Sequence, residues 1–530
     1  MEIPESKSAG YQWLVERFGV VAMPHWRETR ILTRGARRLV ESGGRQVEYL
    51  PAAQDPGDDV FNQLEFALRK EGLHLELLRK VLVRIPGQDM AEHLLGRPTG
   101  RYARVLWFLH ESFTGQRLDV PDLHMGNYVD LIDPEIYITG RVRKVKRQRI
   151  NVNLLGTLEF SPMVRLAGLG DWSESELRKR CEDIVGDYPA QVFERAVRYL
   201  YAKESKSSHE IERETPDQKR AEKFIGLLEQ AWHRDFLNKS ALVELQQAIV
   251  EPRFANRGWR SELTDPGDRQ VYVGETLGPG LERVHYAAPK PDDLEGLMGE
   301  FVLVAWNMAD NGFDLSDSGE VPQASRAVPS LVAAAVISFV FNFLHPFSDG
   351  NGRIHRFLLH HVLARRAFGP EGIILPVSAV ILNRPREYDQ ALESFSKPLM
   401  ERVEYTMDDR LRMTVTNETV DFYRYIDCTE LTRIVIDFIR ETIETELPAE
   451  LRYLAVYDQI RARIRVIVDL PDRHADLFIA LVRQNGGALS KKKRKLPEFE
   501  VLTDSEIAEM ENAIRDALGS DEASSTPDEE

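Results

Sequence analysis

A mainly α-helical chain of about three domains is predicted by three features: 530 residues of which 43% are hydrophobic, apolar residues recurring at three- and four-residue spacing, and few alternating stretches. At roughly 100 to 200 residues per domain, each part is long enough to bury its own core. A net charge of −16 argues against a protein whose whole surface coats nucleic acid. Cys181 and Cys428 are too few and too far apart for a disulfide framework or a four-thiolate zinc site, which points to a reducing, cytoplasmic compartment. The first residues, MEIPESKSAGYQW, lack the basic and apolar regions of a secretory signal. The longest apolar run, Leu331 to Leu344, would span only about 21 Å as a helix, short of the ~30 Å hydrocarbon core of a bilayer. It therefore reads as a helix buried on all sides, and no membrane partner is expected.

Residues 1–165 read as an α/β accessory domain. Asp59 to Leu82 and Tyr102 to Gly115 have helical periodicity, and a Pro- and Gly-containing piece, Val120 to Gly140, leads into Arg141, Arg143, Lys144, Lys146, Arg147 and Arg149. These basic residues partly alternate with Val142 and Val145, as a strand or loop with a basic face would. A solvated face is the plain reading, and an anion or nucleic-acid contact the alternative. Residues 166–405 form a helical middle domain, with Val192, Phe193, Ala196, Val197 and Leu200 at helical spacing, then Phe224, Leu227, Leu228 and Trp232. Between Arg269 and Pro289 the pattern changes to two alternating runs about a Gly-Pro-Gly turn, the mark of a β-hairpin. Residues 420–518 read as a third, helical domain, with candidates at Leu431 to Leu447 and Ala449 to Ile467. A helix through Ala475 to Arg483, the turn Asn485-Gly486-Gly487 and the run Lys491 to Lys495 suggest a winged-helix-like module that would meet nucleic acid, against the plainer reading of a solvated turn. Residues 519–530, acidic and poor in apolar side chains, are expected to be a disordered tail.

The chemistry concentrates in His345-Pro346-Phe347-Ser348-Asp349-Gly350-Asn351-Gly352-Arg353-Ile354-His355-Arg356. Two glycines about Asn351, before an amphipathic stretch with Ile354, Phe357, Leu358 and Val362, suit a tight turn that opens a helix. The unpaired N–H groups of such a turn make an anion site. Arg353 and Arg356, three apart, share a helix face and suit a polyphosphate better than a single carboxylate. Asp349 at the mouth would be repelled by phosphate unless a cation, Mg²⁺ in the first place, lay between them. His345, ordinarily neutral at cytosolic pH, can take a proton from an incoming hydroxyl. His355, His360 and His361 read as ordinary helix histidines. Positions 355 and 360 do not share a helix face, which disfavours zinc.

The stretch resembles the signature of the Fic family, His-x-Phe-x-(Asp or Glu)-Gly-Asn-Gly-Arg-x-x-Arg, at every specified position, and the likeness extends over roughly residues 190–405. The resemblance implies a helical Fic-type core with the hairpin as its flap, and transfer of AMP from ATP to a Ser, Thr or Tyr hydroxyl of a protein. It makes His345 the base, Phe347 a core anchor and Asp349 the magnesium ligand. Gly350, Asn351 and Gly352 would form the anion nest, and Arg353 and Arg356 would hold the β- and γ-phosphates. Relatives that phosphorylate instead lack the second glycine of the nest, which Gly352 supplies. The flap would hold a protein substrate along residues 269–289 by strand addition. Tyr388 matches a position near the nucleotide base, although Asp389 stands where a second tyrosine is common. Ser208 and Glu212 match an inhibitory motif, (Ser or Thr)-x-x-x-Glu-(Gly or Asn), with Arg213 in place of its last residue. A carboxylate against Arg356 would occupy donors needed by the γ-phosphate. A homodimer through the middle domain is also implied.

Two other functions are compatible with the same residues. The cradle could transfer another nucleotide or, with Glu212 positioning a water, remove AMP from a modified protein. Alternatively the chain could be a nucleotide-sensing, DNA-binding regulator that uses the Lys491 to Lys495 turn.

Overall fold

A computed structural model describes residues 5–215, 217–278, 281–309 and 328–524. The chain is mostly helical, and its buried side chains form three main cores. The first is built by residues 11–154, where the helices Val60–Lys70, Leu75–Leu82 and Arg101–Thr114 bury Leu64, Leu78, Leu82, Leu106 and Trp107. The stretch expected as one helix from Asp59 breaks at 71–74, where Glu71 turns inward and accepts hydrogen bonds from the Tyr11 and Thr29 amides at 2.8 and 2.7 Å. Ahead of these helices lies a mixed four-stranded sheet in the order Ser6–Ala9, Arg27–Leu32, Arg45–Leu50, Arg38–Ser42. The basic run becomes the antiparallel pair Arg143–Val145 and Ile150–Val152. Its Arg147 turns inward to pair with Glu111 at 3.0 Å and with Asp122, so that part of the charge is spent within the fold.

The largest core draws on residues 138–454 and surrounds the Ser330–Leu344 helix, in which every side chain but Asn342 is buried. A helix apolar on all sides needs neighbours on all sides. They include Pro291–Ala309, Asn351–Arg365 and Thr429–Glu441. The last of these lies in the stretch expected as the 420–518 domain. Its Ile434, Val435, Phe438 and Ile439 pack into the large core, since an amphipathic stripe reports that a face is buried but not against what. Helical backbone continues through a turn of π-helix at Thr442–Glu446 into Leu447–Ile467, where Pro448 has no N–H to complete an ordinary turn.

The third core is small, built from the end of Leu447–Ile467 with Asp472–Gln484 and Asp504–Ser524, and closed by Leu470, Leu489, Phe499 and Leu502 from the connecting segments. No strand forms between 420 and 524 among the described residues, so the winged-helix expectation is corrected: there is no wing. Lys491, Lys492, Lys493 and Lys495 are exposed on a short turn, and Arg494 pairs with Asp504. The final helix runs to Ser524, into the stretch expected to be disordered, and 525–530 lie outside the described residues. So do the side chains of Val192 and Phe193, within the helix Ala190–Ile211. Cys181 and Cys428 are buried free thiols. Among the described residues no helix is long and apolar enough to cross a membrane.

Candidate active site

The site begins where the buried helix stops. His345, its C-terminal cap, has φ 48° and ψ 57°, a left-handed conformation that a side chain with Cβ adopts at a cost of about 1 kcal/mol. That reversal sends Phe347 back into the core, against Trp259 and Phe341 with ring centroids 5.2 and 6.3 Å apart. Asn351 then staples the turn. Its amide accepts from the Phe347 N–H at 3.1 Å and donates to the Phe347 carbonyl at 2.8 Å, a pairing that needs a donor and an acceptor on one side chain. Gly350 has φ 90°, and a Cβ there would stand 2.8 Å from Val250 Cγ1, so both conformation and space require glycine. It caps the Asn351–Arg365 helix without a side chain, which leaves the first helical N–H groups, at the positive end of the dipole, open to an anion.

An anion is already there. Arg356, 2% exposed, donates from Nε to Ser208 Oγ at 2.9 Å. Its Nη2 donates to the Ser208 carbonyl at 2.8 Å and to Glu212 Oε1 at 2.7 Å. The Glu212 carboxylate lies so close over the turn that a Cβ on Gly352 would be 2.2 Å from Oε1. Burial alone would raise the Glu212 pKa, but the Arg356 charge and hydrogen bond outweigh it and hold the carboxyl below its ordinary value. Ser208 and Glu212 are brought together by i, i+4 spacing at the end of Ala190–Ile211. Arg213 then takes φ 56°, the conformation that glycine and asparagine adopt most easily at that position.

A second carboxylate, which the sequence did not signal, completes the arrangement. Arg353 Nη1 donates to Glu214 Oε2 at 2.7 Å and to the Ile249 carbonyl at 3.1 Å, while Nη2 donates to Asp349 Oδ1 at 3.1 Å. The segment 212–214 therefore places one carboxylate on each arginine of the signature. Its helix is fastened by Glu204, which is buried 2.9 Å from His360 Nε2 and accepts from the Ser378 amide at 3.0 Å.

His345 Nδ1 lies 3.1 Å from the Asn342 carbonyl. A carbonyl only accepts, so Nδ1 carries the hydrogen and Nε2 presents its lone pair. Burial first, then the charge of Arg260, push its pKa down to about 4, against the opposing pull of the Asn342 hydrogen bond and Glu212. Asp349 is 38% exposed at the mouth. Among the described residues no group of three or more His, Cys, Asp or Glu could hold a metal unaided. A divalent ion here fits a single carboxylate completed by ligand oxygens and water.

His355, His360 and His361 are all buried along the Asn351–Arg365 helix, and His361 Nδ1 lies 2.9 Å from the Ala231 carbonyl. Tyr388, the position expected near the nucleotide base, is buried. Its ring lies against Phe339 and His355, with centroids 6.0 and 6.2 Å apart, and its hydroxyl is near Arg356. The hairpin forms from Tyr272–Gly278 and Leu281–Ala287, antiparallel and twice bulged, with Val273, Leu277 and Leu281 exposed. Its Tyr286 hydroxyl donates to the Phe343 carbonyl beneath the His345 turn. The turn is held from below by Gln246, which donates to the Asp349 carbonyl at 3.2 Å, and by Asn256, which accepts from Ser348 Oγ at 2.7 Å. Neither residue carries a sequence signal.

Residues 236–363, which include the hairpin, the turn and nearly all of the helix that follows it, match the family described as Fic/DOC. No curated protein matches the chain. The crystal structure of a Fic family protein from Desulfovibrio desulfuricans G20 aligns with 62% of this chain and 87% of its own, at 18% identity and a TM-score of 0.35. Every position of the signature lies inside the matched segment, so what is similar to the Fic/DOC family in this chain is the segment 236–363 that carries the site.

Proposed function

We propose that this chain is a protein adenylyltransferase that moves AMP from ATP to a Ser, Thr or Tyr hydroxyl of a protein and is restrained by its own Glu212. The observation that carries the reading is the Glu212 carboxylate seated over Gly352 on Arg356, which marks an anion subsite, at the turn that also presents the His345 lone pair. In the reaction the target oxygen bonds to the α-phosphorus, its proton passes to His345 Nε2, and the bond to pyrophosphate breaks. Arg353, Arg356 and the open helix N-terminus hold the β- and γ-phosphates and offset the charge that develops on the leaving group. Mg²⁺, when bound, supplies further neutralisation of the phosphates, and Asp349 is the residue that would hold it. The hairpin, with exposed apolar side chains, would take an extended segment of the target by strand addition.

The test is incubation of the purified chain with α-labelled ATP, Mg²⁺ and a cell lysate, with UTP, GTP and CTP as unlabelled competitors. Label on protein that unlabelled ATP removes best supports the reading. ATP binding without any protein label, in wild type and in Glu212→Gly alike, would sink it. Omission of Mg²⁺ should abolish labelling. Gly352→Ala tests the nest itself. A Cβ 2.2 Å from the carboxylate oxygen invades the space a phosphate oxygen would use, so Mg·ATP affinity should fall at least about tenfold even in the Glu212→Gly background, as read by calorimetry.

A further inference from the structure

The residue that most connects the site is one that the mechanism has not yet used. Arg260 is 0% exposed and makes no ion pair among the described residues. Its donors go to four carbonyls. The backbone N–H meets Pro346 at 2.8 Å and Nε meets His345 at 2.8 Å, both on the base turn. Nη1 meets Arg269, and Nη2 meets Pro289 at 2.6 Å. Arg269 and Pro289 are the two feet of the hairpin, which close on each other through the Ala288 amide and the Val271 carbonyl at 3.0 Å. A buried cation without a carboxylate is costly, and the cost is offset only because a planar guanidinium projects donors in several fixed directions at once. Lysine would bring the charge but could not span the three side-chain acceptors.

We propose that Arg260 is a positioning residue for the transfer reaction, fixing the His345 turn and both feet of the hairpin in one rigid frame so that the bound target hydroxyl and the imidazole meet. This rests on the adenylyltransferase reading for its catalytic consequence, but not for its geometry. Two effects separate. The fork sets distance, and loss of an ångström in placement costs on the order of a hundredfold in rate. The charge adds to burial, the larger cause, in keeping His345 neutral, while Glu212 from the upstream helix opposes it and Tyr286 of the hairpin lies beside the ring.

The experiment uses the full chain carrying Glu212→Gly, with Arg260→Lys and Arg260→Gln added singly. For Arg260→Lys, the rate of lysate-protein labelling at saturating Mg·ATP should fall at least about tenfold while the KM for Mg·ATP stays within about twofold. The acid limb of its pH–rate profile should remain where it was. For Arg260→Gln the same rate loss should come with an acid limb moved upward, toward the ordinary histidine value of ~6.5. Hydrogen exchange should speed up in residues 271–288 of both variants and not in 351–365. Unchanged rate and profile would overturn the proposal. So would rate, KM and exchange in 351–365 all failing together, which is the result of a merely structural arginine. If the parent transfers no label at all, the adenylyltransferase reading falls, and the exchange pattern alone still decides whether Arg260 holds the frame.

Discussion

Glu212→Gly should raise the initial rate of AMP incorporation about a hundredfold, and this is the largest gain any single substitution in the chain is expected to give. Charge-assisted hydrogen bonds to a buried guanidinium contribute roughly 1.5 to 3 kcal/mol, and the carboxylate adds repulsion toward an incoming phosphate. At about 1.4 kcal/mol per factor of ten, displacing Glu212 from Arg356 accounts for one to two orders of magnitude. Glu214→Gln should give a smaller increase, about threefold, because Arg353 keeps its bonds to Asp349 and the Ile249 carbonyl. The double variant should exceed Glu212→Gly, since two carboxylates of one short segment occupy the two arginines. The variant should melt below wild type, having left Arg356 short of a partner, yet gain more in melting temperature from Mg·ATP. The pH sign follows from the depressed Glu212 pKa. Its stabilising contact is present above the ordinary carboxylate value and is lost only as pH falls through the lower, folded-state value. Acidifying the wild type to about pH 5 should therefore leave it restrained. Equal labelling rates for wild type and Glu212→Gly, measured by scintillation counting over the first minutes, would remove autoinhibition from the account.

What the sequence made legible is bounded by how far apart the cooperating residues lie. The turn from His345 to Arg356 could be read because imidazole, carboxylate, glycines and arginines occupy one continuous stretch, and local geometry alone brings them together. Ser208 and Glu212 were legible for the same reason, being one helical turn apart. Glu214 was not, since it reaches Arg353 across the left-handed Arg213, and no periodic pattern passes through such a residue. Gln246, Asn256 and Arg260 lie 103, 92 and 85 residues from the Asp349, Ser348 and His345 oxygens that they hold in the turn, and a buried polar residue has no signature before its partners are known. The short strands between Ser6 and Leu50 went unseen because hardly two of their side chains alternate cleanly, their burial being decided by neighbours distant in the chain. The wing failed for the opposite reason: a Gly-Gly turn and a lysine run are signals of a turn, and only flanking alternation would have made them a hairpin.

His345→Ala should reduce AMP transfer in the Glu212→Gly background by 10²- to 10⁴-fold, the usual worth of a positioned proton acceptor. Little of the fold goes with it. Among the described residues the imidazole makes one hydrogen bond, to the Asn342 carbonyl, and the core anchor of the turn is Phe347. His345→Gly should be more stable than His345→Ala, since glycine adopts the left-handed backbone of this position without strain, and should be equally inactive. That pair separates chemistry from packing: stability differs between the two variants while activity stays equally low. The pH profile adds an independent check. With its folded-state pKa pushed down to about 4, His345 is neutral and competent well below the ordinary ~6.5 of a free histidine. The stability that comes from burying the neutral ring is full above the unfolded value and declines as pH falls through the folded one. In the free enzyme, kcat/KM should therefore stay level from pH 8 down to about 5 and bend near 4. Removing Glu212 takes away a negative neighbour that favours the imidazolium, so the bend cannot move upward for that reason. A bend at 6.5 in the Glu212→Gly variant, or an alanine variant that still transfers AMP at the parent rate, would assign the proton to some other acceptor.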